Sequence, residues 1–181
     1  MERNNKLMFV LIFLGVVLVL VAACFAYAAW MRGVEAQDTA GGLLEDRAND
    51  PLYPENASTL HIGSIDLELP VIWEFSPQGL ETSICRYRGP DPGGSGNLII
   101  TGHDYLNGAV FGQLDRVRTG DEIILYDQEG VRFAYSVYAC VVIDPNDVQA
   151  LDETKGNREL TLMTCSDNAN KRLLVRCAPS Q

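Results

Sequence analysis

Three side chains carry the chemistry this sequence can do: the thiol of Cys165, the imidazole of His103 and the guanidinium of Arg172. A thiolate attacks a carbonyl carbon, and an imidazole gives or takes the proton of the leaving group. A guanidinium donates hydrogen bonds to the oxygen on which negative charge collects. Cys165 closes the stretch Thr161-Leu162-Met163-Thr164-Cys165, which reads as a strand end. The polar turn 166–171 follows, and Arg172 opens the next apolar strand. So short a loop makes the two strands an antiparallel pair and returns Arg172 to the rim that holds Cys165. Arg176 shares a face with Arg172 by alternation but is carried roughly 13 Å along the strand. His103 follows the apolar run 97–101 and Gly102, and so stands past another strand end. Each residue also has a plain reading. A lone cysteine is most often a small buried apolar residue, and a histidine or arginine occurs in nearly any domain.

The elements that must position these groups are mostly strands. A short strand over 60–62 turns at Gly63-Ser64 into an alternating run over 65–69, which ends at Pro70 and resumes over 71–73. His61, on the first piece, reads as a surface or strand histidine. Residues 76–96 are irregular, with a helical turn near 80–86. Residues 97–101 are a buried strand, and 109–117 a short helix or turn with Val110, Phe111, Leu114 and Val117 on one face. Strands over 122–126 and 131–142 flank the hairpin turn Asp127-Gln128-Glu129-Gly130. The connection 143–157 carries a helical turn over 147–151. Strands over 158–164 and 172–177 end the chain. Seven or eight short strands with little helix predict an all-β barrel or sandwich.

Ahead of these strands lies an apolar run without a charge, residues 7–31, longer than the ~20 residues that cross a bilayer. Arg3 and Lys6 precede it; Glu35 and Asp38 follow soon after Arg32. The positive-inside rule puts the N-terminus in the cytoplasm and the rest outside. A cleaved signal peptide has a shorter apolar region. Val21-Ala22-Ala23-Cys24 resembles a lipoprotein cleavage box, yet mostly apolar residues continue past the cysteine, so the run reads as an uncleaved anchor. The expected organisation is a cytoplasmic tail over 1–6, a transmembrane helix over 7–31, an extracellular linker over 32–59 and a catalytic domain over 60–181.

Of 181 residues, 47% are hydrophobic and 21% charged, which excludes a disordered chain. With Glu2, Arg3 and Lys6 set aside, the 14 basic and 24 acidic residues fall to 12 and 23, a balance of −11. Nucleic acid is excluded as a partner for so acidic a domain. The five cysteines include no CxxC pair, which argues against a zinc site. Cys85, Cys140 and Cys177 read as core or strand residues. Cys177, roughly 17 Å along the strand from Arg172, is too far to bridge to Cys165.

The string around the three reactive groups resembles the sortases, cysteine transpeptidases on the outer face of bacterial membranes, mainly in Gram-positive organisms. Their pattern T-L-x-T-C appears as Thr161-Leu162-Met163-Thr164-Cys165, followed by Arg172 in Lys-Arg-Leu-Leu-Val-Arg, with Thr101-Gly102-His103 upstream by 62 residues. Leu69-Pro70-Val71, Phe111-Gly112-Gln113-Leu114 and Thr119-Gly120-Asp121 match as well. The resemblance covers about residues 60 to 178. It implies a closed eight-stranded β-barrel with short helices. It implies that Cys165 attacks a backbone carbonyl in a sorting signal such as Leu-Pro-x-Thr-Gly, that His103 protonates the leaving amine, and that Arg172 binds substrate or oxyanion. Thr164 would orient substrate. The partners implied are surface proteins or pilins bearing that signal, and an amine acceptor such as a lipid-linked peptidoglycan precursor. No cofactor is assigned. Calcium, bound by some members, would need clustered acids; Asp144, Asp152 and Glu153 are available, but the sequence does not bring them together. The connection 143–157 is short for the long helix of the class B enzymes, and no large insertion ahead of the barrel marks a pilus-type lid, though Asp50-Pro51 in the linker keeps that alternative open. Two other classes compete. An L,D-transpeptidase would need a Ser-His-Gly-Cys run, which is absent; a non-catalytic wall-binding barrel would need a buried thiol.

Overall fold

In the computed structural model the described residues are 2–45, 58–152, 158–166 and 170–180. Eight strands are present among the described residues: β1 (Ser58–Ile62), β2 (Leu67–Ile72), β3 (Ile84–Arg88), β4 (Gly96–Thr101), β5 (Glu122–Tyr126), β6 (Arg132–Ile143), β7 (Arg158–Ser166) and β8 (Lys171–Pro179). They close into a barrel in the order β1-β2-β3-β4-β7-β8-β6-β5, with β5 pairing back onto β1. The pairs β2–β3 and β4–β7 are parallel and the others antiparallel. Closure leaves no free sheet edge.

Alternation sorts the side chains. Leu98 and Ile100 of β4, Leu160 and Leu162 of β7, and Leu173, Val175 and Cys177 of β8 belong to the interior core. Their neighbours Ile99, Met163 and Leu174 form a second cluster on the outer wall, under Leu151 of a 3-10 turn (Val148–Leu151). With both faces covered, all six residues of β4 are buried. A strand buried on two sides reads as an unbroken apolar run.

The structure departs from expectation in three places. First, β2 runs straight through Pro70 rather than ending there. Its ladder to β3 begins only at Val71, so on that side proline's missing donor costs no bond. Second, the stretch read as irregular contains both α2 (Pro77–Thr82) and β3. Ser76 caps α2, its hydroxyl accepting from the Gly79 N–H at 3.0 Å, with Pro77 in the first turn. Ser83 then leaves the helix extended and donates to the Pro70 carbonyl at 2.8 Å, which ties the start of β3 to β2. Third, α1 (Glu2–Glu45) continues past the apolar run into the stretch expected as a linker. The remainder of that stretch before Ser58 lies outside the described residues.

Within α1 the side chains of residues 11–28 are exposed: Phe13 is 71% exposed and Phe25 74%. The described helix is long and apolar enough to cross a bilayer. Its last turns dock on the barrel through small residues. Ala36 and Ala40 are buried in the interior core cluster. A Cβ at Gly33 would run into the Asn107 side chain. Gln37 Oε1 accepts from the Val110 N–H at 3.3 Å.

Candidate active site

The site is set by two ladders that meet at β7. Because β4 and β7 run parallel, their C-terminal ends open on one rim, with Thr101 paired to Met163. One step on, the Gly102 N–H donates to the Met163 carbonyl at 3.2 Å, and the buried Thr164 hydroxyl donates to the Gly102 carbonyl at 2.8 Å. That register brings His103 level with Cys165. A side chain at Gly102 could not be housed: a Cβ there would lie 2.8 Å from Ile84 and 2.9 Å from Phe111. The His103 carbonyl accepts from the Phe111 N–H at 3.0 Å, closing the turn behind it. The second ladder is antiparallel and places Arg172 directly opposite Cys165.

Cys165, His103 and Arg172 line one cleft of about 280 Å³. Much of its lining is apolar, with Phe75, Leu80, Tyr87, Val148, Leu151 and Met163. Phe75 and Tyr87 meet edge to face at 5.6 Å between ring centroids. A largely apolar cleft with a few convergent polar groups is the usual form of a ligand site. Cys165 and His103 are each half-buried, so both are held yet reachable.

Burial pushes the His103 imidazole below its ordinary value of 6.5, and the Glu81 carboxylate only partly opposes this. His103 is therefore mainly neutral at neutral pH, able to accept a proton. Tyr105 packs against it at 5.3 Å between ring centroids. The other cysteines of the barrel are poor nucleophiles. Burial pushes the Cys85 thiol up to about 11 and the Cys177 thiol up as well. Desolvation also raises Cys140, whose sulfur lies 3.5 Å from the Val117 carbonyl. All five cysteines are free.

The structure thus gathers Cys165, His103, Arg172 and Thr164 around one cleft, with Thr164 bonded to the His103 turn. Arg176 is not among them; it faces Thr161, with the buried Glu159 carboxylate 4.0 Å away. Sequence reasoning missed Tyr105 and the aromatic wall of Phe75 and Tyr87, whose spacing along the chain carries no signal. Among the acids considered for calcium, Asp144 pairs with Lys171 at 2.8 Å and Asp152 with Arg88 at 3.4 Å. Glu153 lies outside the described residues, and no cluster of three potential ligands occurs among the described ones.

The sortase domain profile matches residues 60–180. Sortase A of Bacillus anthracis is 30% identical over 120 residues, which cover 64% of this chain and 56% of that protein. Sortase SrtE1 of Streptomyces coelicolor is 26% identical over 180 residues, covering 82% of this chain and 49% of that one. The chain spans about half the length of these two relatives. Among solved structures, sortase A from Corynebacterium diphtheriae superposes with a TM-score of 0.64 at 31% identity, covering 80% of this chain and 67% of that one.

Proposed function

The chain belongs to the sortase family, and from that premise we propose that it is a transpeptidase acting on a C-terminal sorting signal of the Leu-Pro-x-Thr-Gly kind. The Cys165 thiolate attacks the signal's threonine carbonyl carbon. His103, neutral at rest, has taken the Cys165 thiol proton; a C–S bond forms, the C–N bond to glycine breaks, and His103 gives that proton to the leaving amine. Arg172 donates hydrogen bonds to the carbonyl oxygen as its charge grows. The thioacyl group then passes to an amine of a cell-wall precursor or a pilin. Thr164 serves this reaction by holding the His103 turn against β7, which also shapes the wall that orients substrate.

The observation that carries this reading is the level placement of His103, two residues past the end of β4, and Cys165 of the parallel strand β7, with Arg172 opposite Cys165. The apolar helix supports a membrane anchor. We place residues 1–6 in the cytoplasm, 7–31 in the bilayer, 32–59 as an outer connecting segment and 60–181 as the catalytic domain outside. The test is transfer of a sorting-signal peptide to an amine by the purified chain. Cys165→Ala should abolish it and His103→Ala nearly so, with folding verified by circular dichroism. Transfer retained by Cys165→Ala would overturn the reading.

A further inference from the structure

His103 lines two cavities. The first is the thiol cleft; the second, of about 680 Å³, is walled by α1, α2 and the turn that follows His103. Helix α2 divides them, with Leu80 facing the cleft while Gln78 and Glu81 face the second cavity. Among the described residues, the charged groups around that cavity are one cation, Arg32, and three carboxylates, Glu35, Glu81 and Asp104. Ala29 lines it too, and belongs to the apolar run that ends at residue 31. The cavity therefore opens where a bilayer would end. It is a built feature, because Ala36, Ala40 and Gln37 fix α1 to the barrel.

We propose that this cavity admits the amine acceptor, carried by a molecule anchored in the membrane, to the thioacyl group from the side opposite the sorting signal. The inference rests on the transpeptidase reading above. At neutral pH the acceptor arrives as an ammonium, which the carboxylates of Glu35 and Glu81 attract. It sheds one proton to water, and the neutral nitrogen attacks the thioester carbon. A C–N bond forms, the C–S bond breaks, and Cys165 leaves with the electron pair as a thiolate. The surplus N–H proton passes to neutral His103, which restores the pair that began the cycle. Each substrate keeps its own approach, and His103 stands between them, donating in the first half and accepting in the second.

The test uses the full chain in nanodiscs, charged with a sorting-signal peptide, with the thioacyl adduct on Cys165 verified by mass spectrometry. The acceptor is a short glycine peptide, either free or coupled through its C-terminus to a phospholipid headgroup. The readout is the ratio of transfer to hydrolysis as acceptor concentration rises. The lipid-linked acceptor should be favoured over the free one. Glu35→Lys, by charge, and Thr39→Trp, by filling the cavity, should each lower the ratio about tenfold or more. A ratio unchanged in both variants, with the adduct forming normally, would overturn this inference alone. Failure of the adduct to form in the unaltered chain would overturn the transpeptidase reading with it.

Discussion

Cys165 and Arg172 stand directly opposite each other on the β7–β8 ladder, one pair short of the loop that joins the strands. Residues so placed have Cβ atoms about 4.5–5.5 Å apart, within reach of a guanidinium serving a carbonyl under attack by the thiol. Arg176 shares the face but stands opposite Thr161, further down the wall.

The two arginines should therefore fail differently. Arg172→Ala should lower turnover by about 10²–10³ with the fold intact. Arg172→Lys should rescue poorly, because an ammonium lacks the planar two-pronged donor geometry. Arg176→Ala should leave turnover nearly unchanged and lower the melting temperature, since it removes the guanidinium that lies 4.0 Å from the buried Glu159 carboxylate. A cost of about 1–3 kcal/mol is expected there. Peptide kinetics alongside thermal melts decide this; equal kinetic losses at both positions would contradict the assignment.

Thr164 joins Cys165 to His103 through one hydrogen bond, from its hydroxyl to the Gly102 carbonyl at 2.8 Å. Thr164→Val keeps the shape and removes the donor, leaving a buried carbonyl short of a partner. The rate should fall about tenfold, and the midpoint of the His103 titration should move as its turn loosens. Thr164→Ser should restore both. A loss of stability without change in the His103 titration would reduce Thr164 to a packing role.

Much of this was legible in the sequence. Strands β4, β7 and β8 are apolar runs cut by polar turns, and the three reactive groups sit where those runs stop. Strand β3 was not legible, because Ile84-Cys85-Arg86-Tyr87-Arg88 carries two arginines. Arg86 is accommodated by lying 5.0 Å over the Trp73 ring, a contact only the fold creates. The extension of α1 was hidden for a similar reason. Gly41-Gly42 and nearby charges read as linker, while the docking of Ala36 and Ala40 depends on a barrel surface remote in sequence. The aromatic cleft wall comes from residues on both sides of α2 and has no sequence period.

His103 should titrate below 6.5, because burial disfavours its charged form. The folded chain then binds that proton less readily than the unfolded chain. Its contribution to stability is present in full above 6.5 and is lost as pH falls through the lower folded midpoint. Glu81→Gln, by removing the carboxylate that raises the value, should lower the midpoint further. Imidazole resonances followed by NMR across the acid range read this directly; a midpoint above 6.5 would contradict the placement.

The most direct measurement is mass spectrometry of the full chain incubated with a sorting-signal peptide and no amine acceptor. A peptide fragment joined as a thioester to Cys165, and to no other cysteine, is the predicted result. An acyl group on Cys85, Cys140 or Cys177, or no adduct under conditions in which the peptide is cleaved, would contradict the account.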